Sequence, residues 1–195
     1  MIKVWKKFLW PEKANIIEKD LLGPNFEWYW NESTLDRDEQ LEFKTKNTVN
    51  TGQFIHKLLE TRYDDGNISV YKSPLYEGFK QIFNQISYIN IERVKCNLNL
   101  NKTGYKKTSH QPIHFDHKSN DFRSLLYYIN DSDGDTIFFN DNLKEIKRVN
   151  PKKGKAVLFD SNILHCGSNP INTLNRVVIN FIFKGNGNEK SILYR

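Results

Sequence analysis

The run Ile91-Glu92-Arg93-Val94-Lys95-Cys96-Asn97-Leu98-Asn99-Leu100 decides how this chain is read. Val94, Cys96, Leu98 and Leu100 alternate with Arg93, Lys95, Asn97 and Asn99, so a β-strand with one apolar and one polar face is predicted. The same short rhythm recurs at Leu125–Asn130, Thr136–Phe139, Glu145–Val149, Lys155–Phe159 and Val177–Phe183. Asp133-Gly134, Asn150-Pro151 and Asn169-Pro170 punctuate these runs with turn residues. Closely spaced strands of this kind predict a jelly-roll sheet sandwich.

Upstream the pattern differs. Pro11 to Leu22 reads as an amphipathic helix, opened by a proline and stopped by Gly23-Pro24. Phe26 to Trp30 suits a strand, and Asn31 to Asn50 is polar and loop-like. Phe54 to Leu59 starts a helical pattern that breaks near Asp64-Asp65-Gly66. Leu75, Phe79, Ile82, Phe83 and Ile86 mark one face of a further helix. Helices followed by strands predict an α+β fold, with helices packed outside the sheets. One domain is expected over residues 1–195, with helical support over about 1–90 and a jelly-roll core over about 91–185.

At 38% hydrophobic and 27% charged residues, the chain can bury a core and is not disordered. Its formal charge of +6 is spread over lysines that never run longer than a pair, such as Lys106-Lys107. That is the mark of a solvated basic surface. The two cysteines, Cys96 and Cys166, have no CxxC spacing, and no apolar run reaches transmembrane length. A cytoplasmic protein with reduced thiols and no membrane partner is expected.

Three elements carry chemistry. In a strand, His114 and Asp116 of His114-Phe115-Asp116 project to one side, so both can grip one ion. His165 follows the apolar run Val157-Leu158-Phe159 after a polar bend. Two histidines and one carboxylate make a facial triad that leaves coordination positions open and selects Fe(II). Arg176 opens the apolar run from Val177 to Phe183, where a cation is costly without an anionic partner. A guanidinium grips a carboxylate through two parallel hydrogen bonds. Competing histidines fit less well. His110 shares the parity of His114 but lacks a carboxylate two positions on, His117 points away from Asp116, and His56 lies in a helical pattern. Cys166 reads as a small buried residue, and Tyr105 as an exposed loop residue or part of a substrate entrance.

Tyr127-Tyr128-Ile129-Asn130, followed by Asp133-Gly134-Asp135-Thr136 and Phe138, resembles the prolyl-hydroxylase-like branch of the 2-oxoglutarate and Fe(II)-dependent oxygenases. The resemblance covers Arg93 to Phe183, and Gly23-Pro24-Asn25-Phe26 with Trp28 is similar to small marine viral and bacterial versions. It implies a double-stranded β-helix with an arginine about ten residues beyond the second histidine; His165 and Arg176 are eleven apart. It further implies Fe(II) on His114, Asp116 and His165, and 2-oxoglutarate and dioxygen as co-substrates. Arg176 and the Tyr128 hydroxyl would meet the far carboxylate of 2-oxoglutarate. Asn180, on the face of Arg176, would add a hydrogen bond there, and Asn97 would approach the near end. The products would be succinate, carbon dioxide and a hydroxylated peptide residue, amino acid or small metabolite. A virus-encoded member would work in the host cytoplasm. One departure stands out: the acidic loop reads Asp131-Ser132-Asp133-Gly134-Asp135-Thr136, where many relatives have Gly-Gly-Glu-Thr.

Two other readings differ in class. Oxygenases that repair alkylated bases carry a second arginine six residues after the first, but this chain has Ile182 there, so a nucleic-acid partner is not expected. A non-catalytic jelly-roll binding module would share the fold and bind neither iron nor 2-oxoglutarate.

Overall fold

The computed structural model describes residues 1–35 and 43–185. Its elements run β1 (Ile2–Trp5), α1 (Pro11–Leu21), β2 (Tyr29–Asn31), β3 (Gln53–Asp64), β4 (Asn67–Lys72), α2 (Tyr76–Phe83) and β5 (Asn90–Leu100). There follow β6 (Phe122–Tyr128), β7 (Thr136–Phe139), β8 (Glu145–Val149), β9 (Ala156–Asp160), β10 (His165–Gly167) and β11 (Asn175–Lys184). A large antiparallel sheet has the order β1-β9-β6-β11-β5-β3-β2, with β4 on the free edge of β3, and β10-β7-β8 form a smaller sheet.

The two-residue period sorts the large sheet into two unlike faces. Val94, Cys96 and Leu98 of β5, Leu125 and Tyr127 of β6, and Val177, Ile179 and Phe181 of β11 pack with Ile17 and Leu21 of α1 and Phe79 and Ile82 of α2. The opposite face turns Leu126, Tyr128 and Val178 toward Phe138 and Val149 of the small sheet. Most of the remaining positions of that inner face are polar. Arg176 lies opposite Asn99, Val178 opposite Asn97, Asn180 opposite Lys95 and Ile182 opposite Arg93. The helices therefore close one side of the sheet, and a polar ladder faces the other.

Two expectations are corrected. Phe54–Leu59 is not helical; it lies within β3, where a register shift between Lys57 and Leu59 lets successive leucines, Leu58 and Leu59, both be buried. A bulge breaks strict alternation and imitates helical spacing. His56 is accordingly a buried strand residue, bonded to the Glu27 carbonyl and the Ser73 hydroxyl. The N-terminal portion is thus four strands and two helices, not a purely helical support. The expected strand at Phe26–Trp30 begins only at Tyr29; Phe26 and Trp28 pack against each other, with centroids 4.8 Å apart. In the expected loop Asn31–Asn50, residues 36–42 lie outside the described residues, and Phe43 and Thr48 bridge to Ile113 and His110. Elsewhere the strand boundaries move by no more than a few residues.

The acidic loop has a structural task. Asp133 accepts hydrogen bonds from the amides of Ile171 (3.2 Å), Asn172 (2.9 Å) and Thr173 (3.1 Å), and from the Thr173 hydroxyl (2.8 Å) and the Asn172 side chain (2.9 Å). It thereby ties the turn before β7 to the turn before β11. Partial burial opposes its ionisation, but these donors outweigh burial and hold the carboxyl at about 2, below the ordinary 3.8. Removing the acceptor by Asp133→Ala should cost about 1–3 kcal/mol of stability in chemical denaturation. Because the folded value is the lower one, the stabilisation is full above the ordinary value and disappears as pH falls toward about 2. The variant's deficit should therefore shrink across that acid range and be constant near neutrality; a pH-independent deficit would contradict the assignment.

Candidate active site

Two backbone hydrogen bonds set the site. The His114 amide donates to the His165 carbonyl (3.0 Å), and the His165 amide donates to the His114 carbonyl (2.8 Å). This reciprocal pair brings the imidazoles together, with ring centroids 4.6 Å apart. His165 opens β10 as a strand residue. The expectation of a strand through His114-Phe115-Asp116 is corrected: only Ile113 and His114 form bridges, and the chain bends at Asp116. The bend is pinned by the Asp116 and His117 amides, both donating to the Ser161 carbonyl at 2.9 and 3.1 Å. Pinning, not pleat parity, puts the carboxylate beside the two rings.

One ligand atom from each of His114, Asp116 and His165 lies within 4.8 Å of the others. Both histidines commit Nδ1 to a backbone carbonyl, His114 to Pro112 (3.1 Å) and His165 to Ile163 (2.9 Å). A carbonyl only accepts, so Nδ1 carries the proton and Nε2 is bare, as a metal ligand must be. Burial, reinforced by the neighbouring His165, pushes His114 down to about 4. Burial would raise Asp116, but His165, Arg93 and His114 outweigh it and hold the carboxyl at about 2. Neutral imidazole and ionised carboxylate are the states that bind a metal ion. The donor set fits Fe(II).

Around the triad, one pocket is lined by the inner ladder, including Arg93, Lys95, Asn97, Asn99, Arg176 and Asn180, with Phe115, Leu126 and Val178 as apolar wall. Arg176 is 4% exposed, which rules out a solvent-facing strand end. Its Nε donates to the Gly134 carbonyl (2.8 Å), one terminal nitrogen to Thr136 Oγ1 (2.8 Å) and the other to Asn99 Oδ1 (3.5 Å). Among the described residues it makes no ion pair with a carboxylate. Glycine is required on both sides of it. A Cβ on Gly134 would lie 2.5 Å from the Ser168 carbonyl and 3.0 Å from Arg176 Cδ, and one on Gly167 would lie 3.3 Å from the guanidinium. The expected 2-oxoglutarate pocket thus has a buried cation in place.

Tyr128 and Asn180 both have protein partners within the pocket region. Tyr128 is fully buried, stands 5.9 Å from the Arg176 guanidinium carbon and donates its hydroxyl to Thr136 Oγ1 at 2.7 Å. Asn180 donates not toward the Arg176 end but to both oxygens of Asp116, at 3.0 and 3.2 Å. Asn97 does line the pocket, with Oδ1 unpartnered. Tyr105 is 8% exposed, so it is not the exposed loop tyrosine, and Cys166 is buried and free. Sequence reasoning missed Thr136 and Asn99. The parity of β5 gave the signal for Asn99; Thr136 is made relevant only by tertiary contacts.

Residues 98–184 match the family model described as the 2OG-Fe(II) oxygenase superfamily. No curated protein matches the chain in sequence. Among solved structures, a 2OG-Fe(II) oxygenase family oxidoreductase from Burkholderia pseudomallei superposes with a TM-score of 0.62 at 14% identity, covering 97% of this chain and 88% of its own. A Trichoplax adhaerens prolyl hydroxylase in complex with a hypoxia inducible factor peptide gives 0.60 at 12% identity, with coverages of 94% and 83%. A Pseudomonas putida prolyl-4-hydroxylase gives 0.53 at 16% identity, with 95% and 93%. The mostly antiparallel core with two helices is the double-stranded β-helix of these proteins. The matched segment holds His114, Asp116, His165 and Arg176.

The competing histidines are engaged elsewhere. His110 Nε2 lies 2.9 Å from the Thr45 hydroxyl and its Nδ1 2.8 Å from the Gln111 carbonyl, while His117 stacks on Phe122 at 3.7 Å. His110→Ala and His117→Ala should keep Mn(II) affinity in calorimetry, whereas His165→Ala should lose it. His110→Ala should in addition melt earlier, by about 1–3 kcal/mol of lost stability, because its buried partners are orphaned.

Proposed function

We propose that this chain, with residues 98–184 matching the 2OG-Fe(II) oxygenase superfamily, hydroxylates a peptide residue, an amino acid or a small metabolite. His114, Asp116 and His165 hold iron in this reading, and Arg176 holds the far carboxylate of 2-oxoglutarate. One observation carries it: a bare two-histidine, one-carboxylate set shares a pocket with a buried guanidinium that has no carboxylate partner among the described residues. A peptide or small-molecule substrate is supported by the peptide held in the Trichoplax structure. No helix among the described residues is long and apolar enough to cross a membrane. Two free, buried cysteines support a cytoplasmic setting.

When bound with dioxygen, iron and 2-oxoglutarate supply the oxidising chemistry that yields succinate, carbon dioxide and a hydroxylated product. The protein's share is positioning and exclusion of water. His114 and His165 present Nε2 because their Nδ1 protons are committed to backbone. Arg176 orients the dicarboxylate, and its arm is fixed by Gly134 and Thr136 before any ligand arrives. Thr136 Oγ1 accepts from both Tyr128 and Arg176, so its own proton has to point elsewhere, and Thr136 lines the pocket. In this reading the hydroxyl that reaches the carboxylate belongs to Thr136, with Tyr128 behind it. The unpartnered Asn99 Nδ2 supplies a further donor beside Arg176.

Arg176→Leu should weaken 2-oxoglutarate binding by about 2–5 kcal/mol while Mn(II) affinity holds, with Arg176→Lys recovering only part. Calorimetry of the Mn(II) protein measures both. Thr136→Val should weaken 2-oxoglutarate binding more than Tyr128→Phe does; the reverse order would return the contact to Tyr128. Succinate release after anaerobic Fe(II) reconstitution, with a panel of peptides and metabolites, tests turnover itself. Binding of neither Mn(II) nor 2-oxoglutarate by the folded protein would leave only a binding module.

A further inference from the structure

Asn180 lies in β11 on the strand face that also carries Arg176 and Val178. It is 5% exposed, lies opposite Lys95 on β5 and Leu126 on β6, and faces the pocket. Its Nδ2 donates to Asp116 Oδ1 at 3.0 Å and to Oδ2 at 3.2 Å. A carboxylate oxygen accepts, so the amide must turn its NH2 toward Asp116, which fixes an orientation otherwise open to a flip. The Asn180 carbonyl is left buried without a partner. An amide placed only to fill the sheet would not strand its acceptor, since an unmade buried hydrogen bond is costly. Its placement is decided by Asp116.

We infer that Asn180 is the positioning residue of the metal-binding carboxylate. The inference rests on the reading of His114, Asp116 and His165 as the iron site. Asp116 comes from a bend, not from a regular strand, so no ladder fixes its side chain. The backbone bonds to Ser161 hold its main chain, and the carboxylate needs a restraint of its own. Arg93 approaches Oδ1 at 3.6 Å, beyond direct hydrogen-bond distance, and His165 Nε2 lies 3.7 Å from Oδ2. The Ser124 hydroxyl is a further hydrogen-bond partner of the carboxylate, and Asn180 is the donor that spans both oxygens, within 3.2 Å of each. Rooted in the middle of β11, the longest stretch of buried strand in the large sheet, it delivers the rigidity of the sheet to a ligand carried on a bend. Partners of this kind, which hold a ligand and not the ion, commonly contribute 10- to 100-fold in metal affinity or activity.

Mn(II) affinity of the full chain, without 2-oxoglutarate, is the direct measurement, with the wild type, Asn180→Ala and Asn180→Leu titrated side by side. Both variants should bind Mn(II) about 10- to 100-fold more weakly. Asn180→Leu keeps the branched shape and removes the polar amide, so agreement between the two separates the hydrogen bond from packing. Asn180→Thr, which retains a donor on the same strand face, should recover part of the affinity. Circular dichroism and the metal-free melting temperature establish that each variant is folded. Mn(II) affinity within twofold of wild type in folded Asn180→Leu would overturn the inference. A wild type that binds no Mn(II) would instead overturn the iron-site reading on which it stands.

Discussion

The reciprocal hydrogen bonds between the His114 and His165 backbones are the constraint on which the site depends. They join a segment with almost no regular structure to the short strand β10, and through it to β7 and β8. One pairing therefore sets the distance between two imidazoles and adds the His114 segment to the edge of the small sheet. The interface beneath is aromatic: Phe138 and Phe159 meet edge to face at 5.0 Å, and Phe159 meets the His165 ring at 4.7 Å. Contacts of this type add to the burial energy and lock ring orientation. The metal-facing nitrogens are aimed by the core as much as by their own hydrogen bonds.

The large sheet divides its labour by parity. Even-numbered positions of β5 and odd-numbered positions of β11 meet the helices; the alternate positions carry the polar ladder. Helices on one face leave the other free to hold buried charge, since packing is secured without it. The cost of burying Arg176 is met locally by three acceptors, from the loop before β7, from β7 itself and from β5. A guanidinium satisfied by neutral acceptors keeps its full charge for a ligand, whereas a carboxylate partner would cancel it.

Much of this was legible in the sequence, for reasons that differ by residue. Val94, Cys96 and Leu98 announce β5 because their burial follows the period of two without interruption. His114, Asp116, His165 and Arg176 are legible because their chemistry is costly unless they converge. The misread segment at Phe54–Leu59 failed for a physical cause, since the bulge at Lys57 to Leu59 replaces alternation with a helix-like spacing. Asn180 was read on the correct face but toward the wrong neighbour. A strand position gives a direction, while the partner depends on the Asp116 bend, which no periodicity encodes. The departure at Asp133 was visible as an oddity; its five acceptor contacts explain it as a tie between two turns.

The glycines flanking Arg176 have a consequence beyond packing. Gly134 and Gly167 bring backbone close to the Arg176 arm and guanidinium, where any larger side chain would crowd it. At the other end, backbone carbonyls orient the two histidines and Asn180 holds the carboxylate. A pocket with two fixed ends works as a caliper. In the proposed reading, a dicarboxylate one methylene shorter would meet one end and miss the other, and one methylene longer would have to buckle. Discrimination by chain length then comes from rigid backbone and not from a tight apolar wall, so it should tolerate substitution of the lining residues far better than substitution of either glycine.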